Sequence, residues 1–113
     1  MNNSETLHLL QTTLVFGKEF PDAAPMVVAK RVLALNSLAV AVQNNAVALC
    51  NGDKDQEQYN KRKKTLTNLV TKHLDALAPG IEFKLDGDPR GSCLKIKLPS
   101  GISSGFETGY WSF

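Results

Sequence analysis

Ile81-Glu82-Phe83-Lys84-Leu85, then Asp86-Gly87-Asp88-Pro89-Arg90-Gly91, then Ser92-Cys93-Leu94-Lys95-Ile96-Lys97-Leu98: this stretch decides the fold. Ile81, Phe83 and Leu85 alternate with Glu82 and Lys84, and Leu94, Ile96 and Leu98 alternate with Lys95 and Lys97. A period of two gives each segment one apolar and one charged face, the pattern of a half-buried strand. The six residues Asp86 to Gly91 carry dense turn chemistry, so they read as the loop of an antiparallel hairpin. Pro99-Ser100-Gly101 closes the second strand. The hairpin's apolar face needs a cover, and the preceding residues supply it.

Upstream of Gly80 the period is helical. Val28, Val32, Leu35, Ala39, Val42, Ala46 and Leu49 recur at alternating spacings of four and three, which predicts a helix over about 23–49 with a heptad-like seam. Asp22 is its expected cap and Pro25 suits its first turn. Asn51-Gly52 ends it. A second helix is expected from Asp53 or Asp55, where Asp55 and Gln58 have capping-box spacing. Tyr59, Leu66, Leu69, Val70, His73 and Leu77 mark its inner face, and Ala78-Pro79-Gly80 stops it. The short link makes the two an antiparallel helical hairpin. Residues 4–16 carry two signals. Ser4 caps a short helix with Leu7, Leu10 and Leu14 on one face, whereas Thr12-Thr13-Leu14-Val15 favours a strand. The helix, ending at Gly17, is the expected outcome.

After Gly101 the chain has Gly105 and Gly109 and ends Tyr110-Trp111-Ser112-Phe113. With Phe106, these hold four of the chain's eight aromatics. Disordered tails are poor in aromatics, so a third strand or an ordered arm is expected. The whole is an α+β domain over 1–113: a helical part at about 4–79, and a β-hairpin with aromatic tail at about 80–113. The helical hairpin packs on a two- or three-stranded antiparallel sheet.

Composition narrows the function classes. The chain has 113 residues and a formal charge of +2, which fits neither a strongly basic nucleic-acid coat nor an acidic mimic of DNA. Cys50 and Cys93 are far apart and read as reduced thiols of a cytoplasmic protein. Met26 to Cys50 is apolar, but Lys30, Arg31, Asn36, Gln43, Asn44 and Asn45 interrupt it. A span wants roughly 20 predominantly apolar residues, so no membrane crossing is expected.

Each candidate site competes with a structural role. Asp53, Asp55 and Glu57 alternate, as do Asp86 and Asp88. A calcium loop counted from Asp53 places Gln58 at the glycine position and Lys64 at the bidentate-Glu position, and one from Asp86 places Lys97 there. A helix cap and a hairpin turn explain these acids, so no metal is expected. His8 and His73 lack companions at ligand spacing. No nucleophile elbow, phosphate loop or dinucleotide fingerprint is present, so neither a cofactor nor an enzyme is expected.

Lys61, Arg62, Lys63 and Lys64 are the sharpest charge feature, with Lys54 and Lys72 nearby and Lys84, Lys95 and Lys97 on the strands. A basic helix meets phosphates, though a solvated face is the commoner role. Tyr110, Trp111 and Phe113, with Arg90 of the turn, form the candidate partner-binding set, because Trp, Tyr and Arg dominate interface hot spots. The aromatics equally suit folding back over the sheet. The long, Ala-rich seam of the second helix also suits a homodimer.

Gly87-Asp88-Pro89-Arg90-Gly91-x-x-Leu94-Lys95-Ile96-x-Leu98-Pro99-Ser100-Gly101, preceded by Cys50-Asn51-Gly52, resembles small proteins encoded by bacteriophages and prophages. The resemblance spans about half the chain and departs from the pattern at Tyr110-Trp111-Ser112-Phe113. It brings no catalytic residues. It implies an accessory protein of a mobile element, acting in the host cytoplasm by binding and inhibiting a host protein such as a defence nuclease or effector. The alternative is a nucleic-acid-binding module using Lys61 to Lys64.

Overall fold

The computed structural model describes residues 3–109. Three helices, α1 (Asn3–Glu19), α2 (Pro25–Cys50) and α3 (Gln56–Asp75), precede three strands, β1 (Phe83–Asp88), β2 (Gly91–Lys97) and β3 (Ser103–Gly109). The strands form one antiparallel sheet in the order β1-β2-β3. The α+β architecture is the one the sequence predicts, and the residues after Gly101 do supply the third strand.

Sheet alternation sorts the side chains. Leu94, Ile96 and Phe106 are buried, while Lys84, Lys95, Lys97 and Glu107 are exposed on the other face. α2 lies against all three strands and against α1 and α3. Its Val28, Val32, Leu35, Ala39 and Ala46 are buried in the shared core. The heptad-like seam is therefore filled by the protein's own elements, which removes the reason for expecting a second copy there. By length and composition α2 is also apolar enough to cross a membrane, contrary to expectation. Its interrupting polar residues do not disqualify it; its seam is taken up by the core.

Gly87 sets how closely α2 approaches the sheet. A Cβ there would stand 2.6 Å from Val42 Cγ1. The hairpin loop is shorter than expected. Asp86, Gly87 and Asp88 belong to β1, Asp88 pairs with Gly91, and only Pro89 and Arg90 turn. Asp at the first position, Pro at the second and Gly at the fourth suit a type I turn, and no residue of it has positive φ. Asp88 Oδ1 accepts from the Arg90 N–H at 2.8 Å.

The helix ends show which local signals are sufficient. Asp55 and Gln58 form the complete capping box, at 2.8 and 3.0 Å. Asp22 does not cap α2: Ala24 is its N-cap, without a side-chain bond, and Pro25 opens the helix. α1 runs through Gly17 to Glu19, past the expected stop. Thr12 and Thr13 donate to the carbonyls of His8 and Leu9, at 2.9 and 2.7 Å, so their hydroxyls are satisfied within the helix. The face of α1 that meets the core carries Leu9, Thr12 and Phe16, with Phe16 packed on Phe20 and Phe106.

Candidate interaction surface

The apolar stripe the sequence marks on α1 is not the buried one. Leu7, Leu10 and Leu14 are 56%, 59% and 68% exposed, on the side of the helix away from Leu9 and Phe16. Their spacing of three and four aligns them as one ridge. On α2, Met26, Leu33 and Val40 repeat every seven residues and are also exposed. Singly exposed leucines need no explanation, but an aligned row marks a contact surface.

Between the N-terminal half of α1, the middle of α2 and β3 lies a cleft of about 710 Å³. His8, Leu9, Val40, Gln43 and Thr108 line it, with the backbone edge of β3 as one wall. The His8 ring donates through Nε2 to the Gly105 carbonyl at 3.3 Å. Gly105 has no alternative: a Cβ would run into the Leu94 carbonyl across the ladder. Beneath the cleft, buried Ser92 donates to the Ala39 carbonyl at 2.5 Å, tying β2 to α2. Thr108 Oγ1 accepts the Ser92 N–H at 3.0 Å. It donates to Gln43 Oε1 at 2.9 Å, and Ser92 Oγ stands 2.8 Å from it. Gln43 Nε2 reaches the Pro89 carbonyl at 3.3 Å. This network joins α2, β2, β3 and the turn, and nothing in the sequence signals it, because its members come from four separate stretches.

The basic residues separate into two groups. Lys61, Arg62, Lys63 and Lys64 are all exposed on α3. Lys54 is not part of that surface; its Nζ donates to Asn45 Oδ1 at 2.7 Å, and Asn45 Nδ2 donates to the Tyr59 carbonyl at 3.2 Å. These bonds brace the α2–α3 joint. On the outer sheet face Lys84 stands opposite Lys95, and Cys93 lies between Asp86 and Glu107. Burial first, then those two carboxylates, push the Cys93 thiol pKa up, which disfavours thiolate. His73 is half-buried, and its Nδ1 accepts from Arg31 at 2.9 Å. Burial, then Arg31 and Lys72, lower its pKa, so the ring is held neutral.

Arg90 is paired with Asp88 at 3.2 Å at the tip of the hairpin. Gly109, the last described residue, lies opposite Gly91 and against the Arg90 backbone. Tyr110, Trp111 and Phe113 lie outside the described residues. Phe106, the other aromatic of this end, is core. Comparison with protein families, with curated proteins and with solved structures finds no match.

Proposed function

We propose that this is a non-catalytic binding protein that inhibits a partner protein by presenting α1 to it. The observation that carries the reading is the exposed row of Leu7, Leu10 and Leu14. An i, i+3, i+7 row of apolar anchors is how one helix fills an apolar groove on another protein. The ridge stands on a helix whose opposite face is fixed in the core by Leu9 and Phe16, so it is preorganised and loses little freedom on docking. The resemblance of the 87–101 hairpin to phage-encoded proteins supports the setting: an accessory protein in the host cytoplasm, directed at a defence nuclease or effector. A homodimer through the same ridge is the competing use of it.

The test is phage plaquing on bacteria that carry a defence system and express this protein. The unmodified chain restores plaquing, and a variant with Leu7, Leu10 and Leu14 changed to Ser does not, while its circular dichroism and melting are unchanged. A triple variant that still restores plaquing rejects the ridge as the contact.

A second reading rests on the exposure of all four cations from Lys61 to Lys64. A row of exposed cations releases counterions from a duplex on binding, so affinity falls steeply with salt. Neutralising the four residues weakens duplex binding in a salt-dependent way under this reading and leaves plaquing intact under the first.

A further inference from the structure

We propose that the cleft beside β3 receives an extended segment of a partner polypeptide, which joins the sheet as a fourth strand. The inference stands apart from the α1 ridge and does not rest on it. Among the described residues β3 is an edge strand, paired with β2 alone. Strand addition to such an edge draws its affinity from main-chain hydrogen bonds and its specificity from pockets for alternate side chains. Natural sheets protect edges with lysine, proline, bulges or a covering element. β3, Ser103-Ser104-Gly105-Phe106-Glu107-Thr108-Gly109, has neither lysine nor proline.

The hydrogen bonds fix which backbone groups are on offer. The Gly105 carbonyl is directed into the cleft, where His8 donates to it. In an antiparallel ladder the outward groups alternate, so the N–H and C=O of Ser103, Gly105 and Glu107 face away from β2. His8 thus stands where the N–H of an added strand would donate. Gly105, which admits no side chain, keeps that part of the edge flat.

The walls select the occupant. At about 710 Å³ the cleft is in the size range that encloses a ligand of a few residues. Each copy's edge is walled by its own α1 and α2, which leaves room for one extended chain rather than for a second sheet with its helices. Leu9 and Val40 offer an apolar floor. The charged residues of the lining are Glu5 and Glu107, and no lysine or arginine contributes to it. The segment that fits alternates apolar residues, set on Leu9 and Val40, with basic ones near Glu107.

The probe is a peptide of alternating valine and lysine with the seven-residue length of β3, titrated into isotope-labelled protein and followed by amide chemical shifts. Saturable shifts confined to β3 and the cleft residues, with slowed exchange of the Gly105 and Glu107 amides, are expected. The same peptide with its edge-facing amides N-methylated leaves those shifts unmoved, and so does a valine–glutamate peptide. Glu107→Pro removes one outward N–H without removing a bond to β2, and weakens binding by about tenfold. Should that variant not fold, the N-methylated peptide on the unmodified chain decides. Equal binding of the N-methylated peptide, shifts centred on Leu7, Leu10 and Leu14, or no saturable shift overturns the proposal. So does concentration-dependent broadening along β3 without peptide, which assigns the edge to a second copy.

Discussion

Two helices of this molecule carry apolar stripes that look alike on paper and meet opposite fates. On α2, Val28, Val32, Leu35 and Ala39 are enclosed by α1, α3 and the sheet. On α1, Leu7, Leu10 and Leu14 face solvent while Leu9 and Phe16 hold the core. Periodicity states that a stripe wants covering; it does not state what covers it. α2 is central and its seam has a neighbour along its length, while Met26, Leu33 and Val40 on another side stay exposed. α1 is peripheral and its helix carries apolar residues on two sides, one more than the protein's own core can use.

The hardest test of that contrast is Leu35, which is fully buried in the α2 seam. Leu35→Ala should cost about 2–5 kcal/mol of unfolding free energy, by the transfer and cavity terms together. Against a total of about 5–15 kcal/mol for an ordinary domain this is a large share. Chemical denaturation with an unchanged slope measures it. A loss below about 1 kcal/mol would mean that the seam is not the centre of the core.

The cover on the sheet side is held by Ser92. Ser92→Ala removes the donor to the Ala39 carbonyl and the hydroxyl contact with Thr108. The Ala39 carbonyl stays within the α2 helix and Thr108 keeps Gln43, so the loss should be about 1 kcal/mol. Differential scanning calorimetry of the variant resolves it. Ser92→Cys, which keeps a weak donor of larger size, separates the hydrogen bond from the volume.

How much of this was readable beforehand depends on how local each signal is. The Asp55–Gln58 cap and the alternation that puts Leu85, Leu94 and Ile96 in strands need only neighbours or a period of two, and both were legible. The hairpin loop was overestimated because Asp86, Gly87 and Asp88 are turn formers by type. Gly87 is in the strand, paired with Ser92, and its lack of a side chain answers Val42 of α2, 45 positions away in sequence. The Leu7-Leu10-Leu14 row was visible as a row, but which side of α1 the core would claim was settled by Phe16 meeting Phe106. The cleft was invisible, since it exists only once α1, α2 and β3 stand together.

The cover on the α3 side carries a smaller, pH-dependent effect. Arg31 donates to a neutral His73 ring whose pKa lies below the ordinary 6.5. An unfolded chain takes up the proton near 6.5 while the folded one does not, so the unfolded state binds more protons there. Stability should therefore be constant above about pH 7 and fall as pH drops through 6.5 toward the lower folded value. In His73→Gln this part of the slope should vanish, read from denaturation midpoints across the range. A wild-type stability that rises as pH falls through 6.5 would reverse the assignment.

The smallest effect is expected at Leu10, where the two stripes of α1 are separated by a single step along the chain. Leu9 and Leu10 are neighbours in sequence, 7% and 59% exposed. Leu9→Ala should cost about 2 kcal/mol, the low end for a buried leucine close to a cleft. Leu10→Ala should fall within about 0.5 kcal/mol of the unmodified chain, as surface substitutions do. Both are measured by denaturation at two protein concentrations tenfold apart. If Leu10→Ala is silent at both, the ridge is free in the isolated protein and available to a partner. If it destabilises as much as Leu9→Ala, and the unmodified midpoint rises with concentration, the ridge is covered by a second copy. The two stripes would then differ only in whether the cover comes from within the chain or from another one.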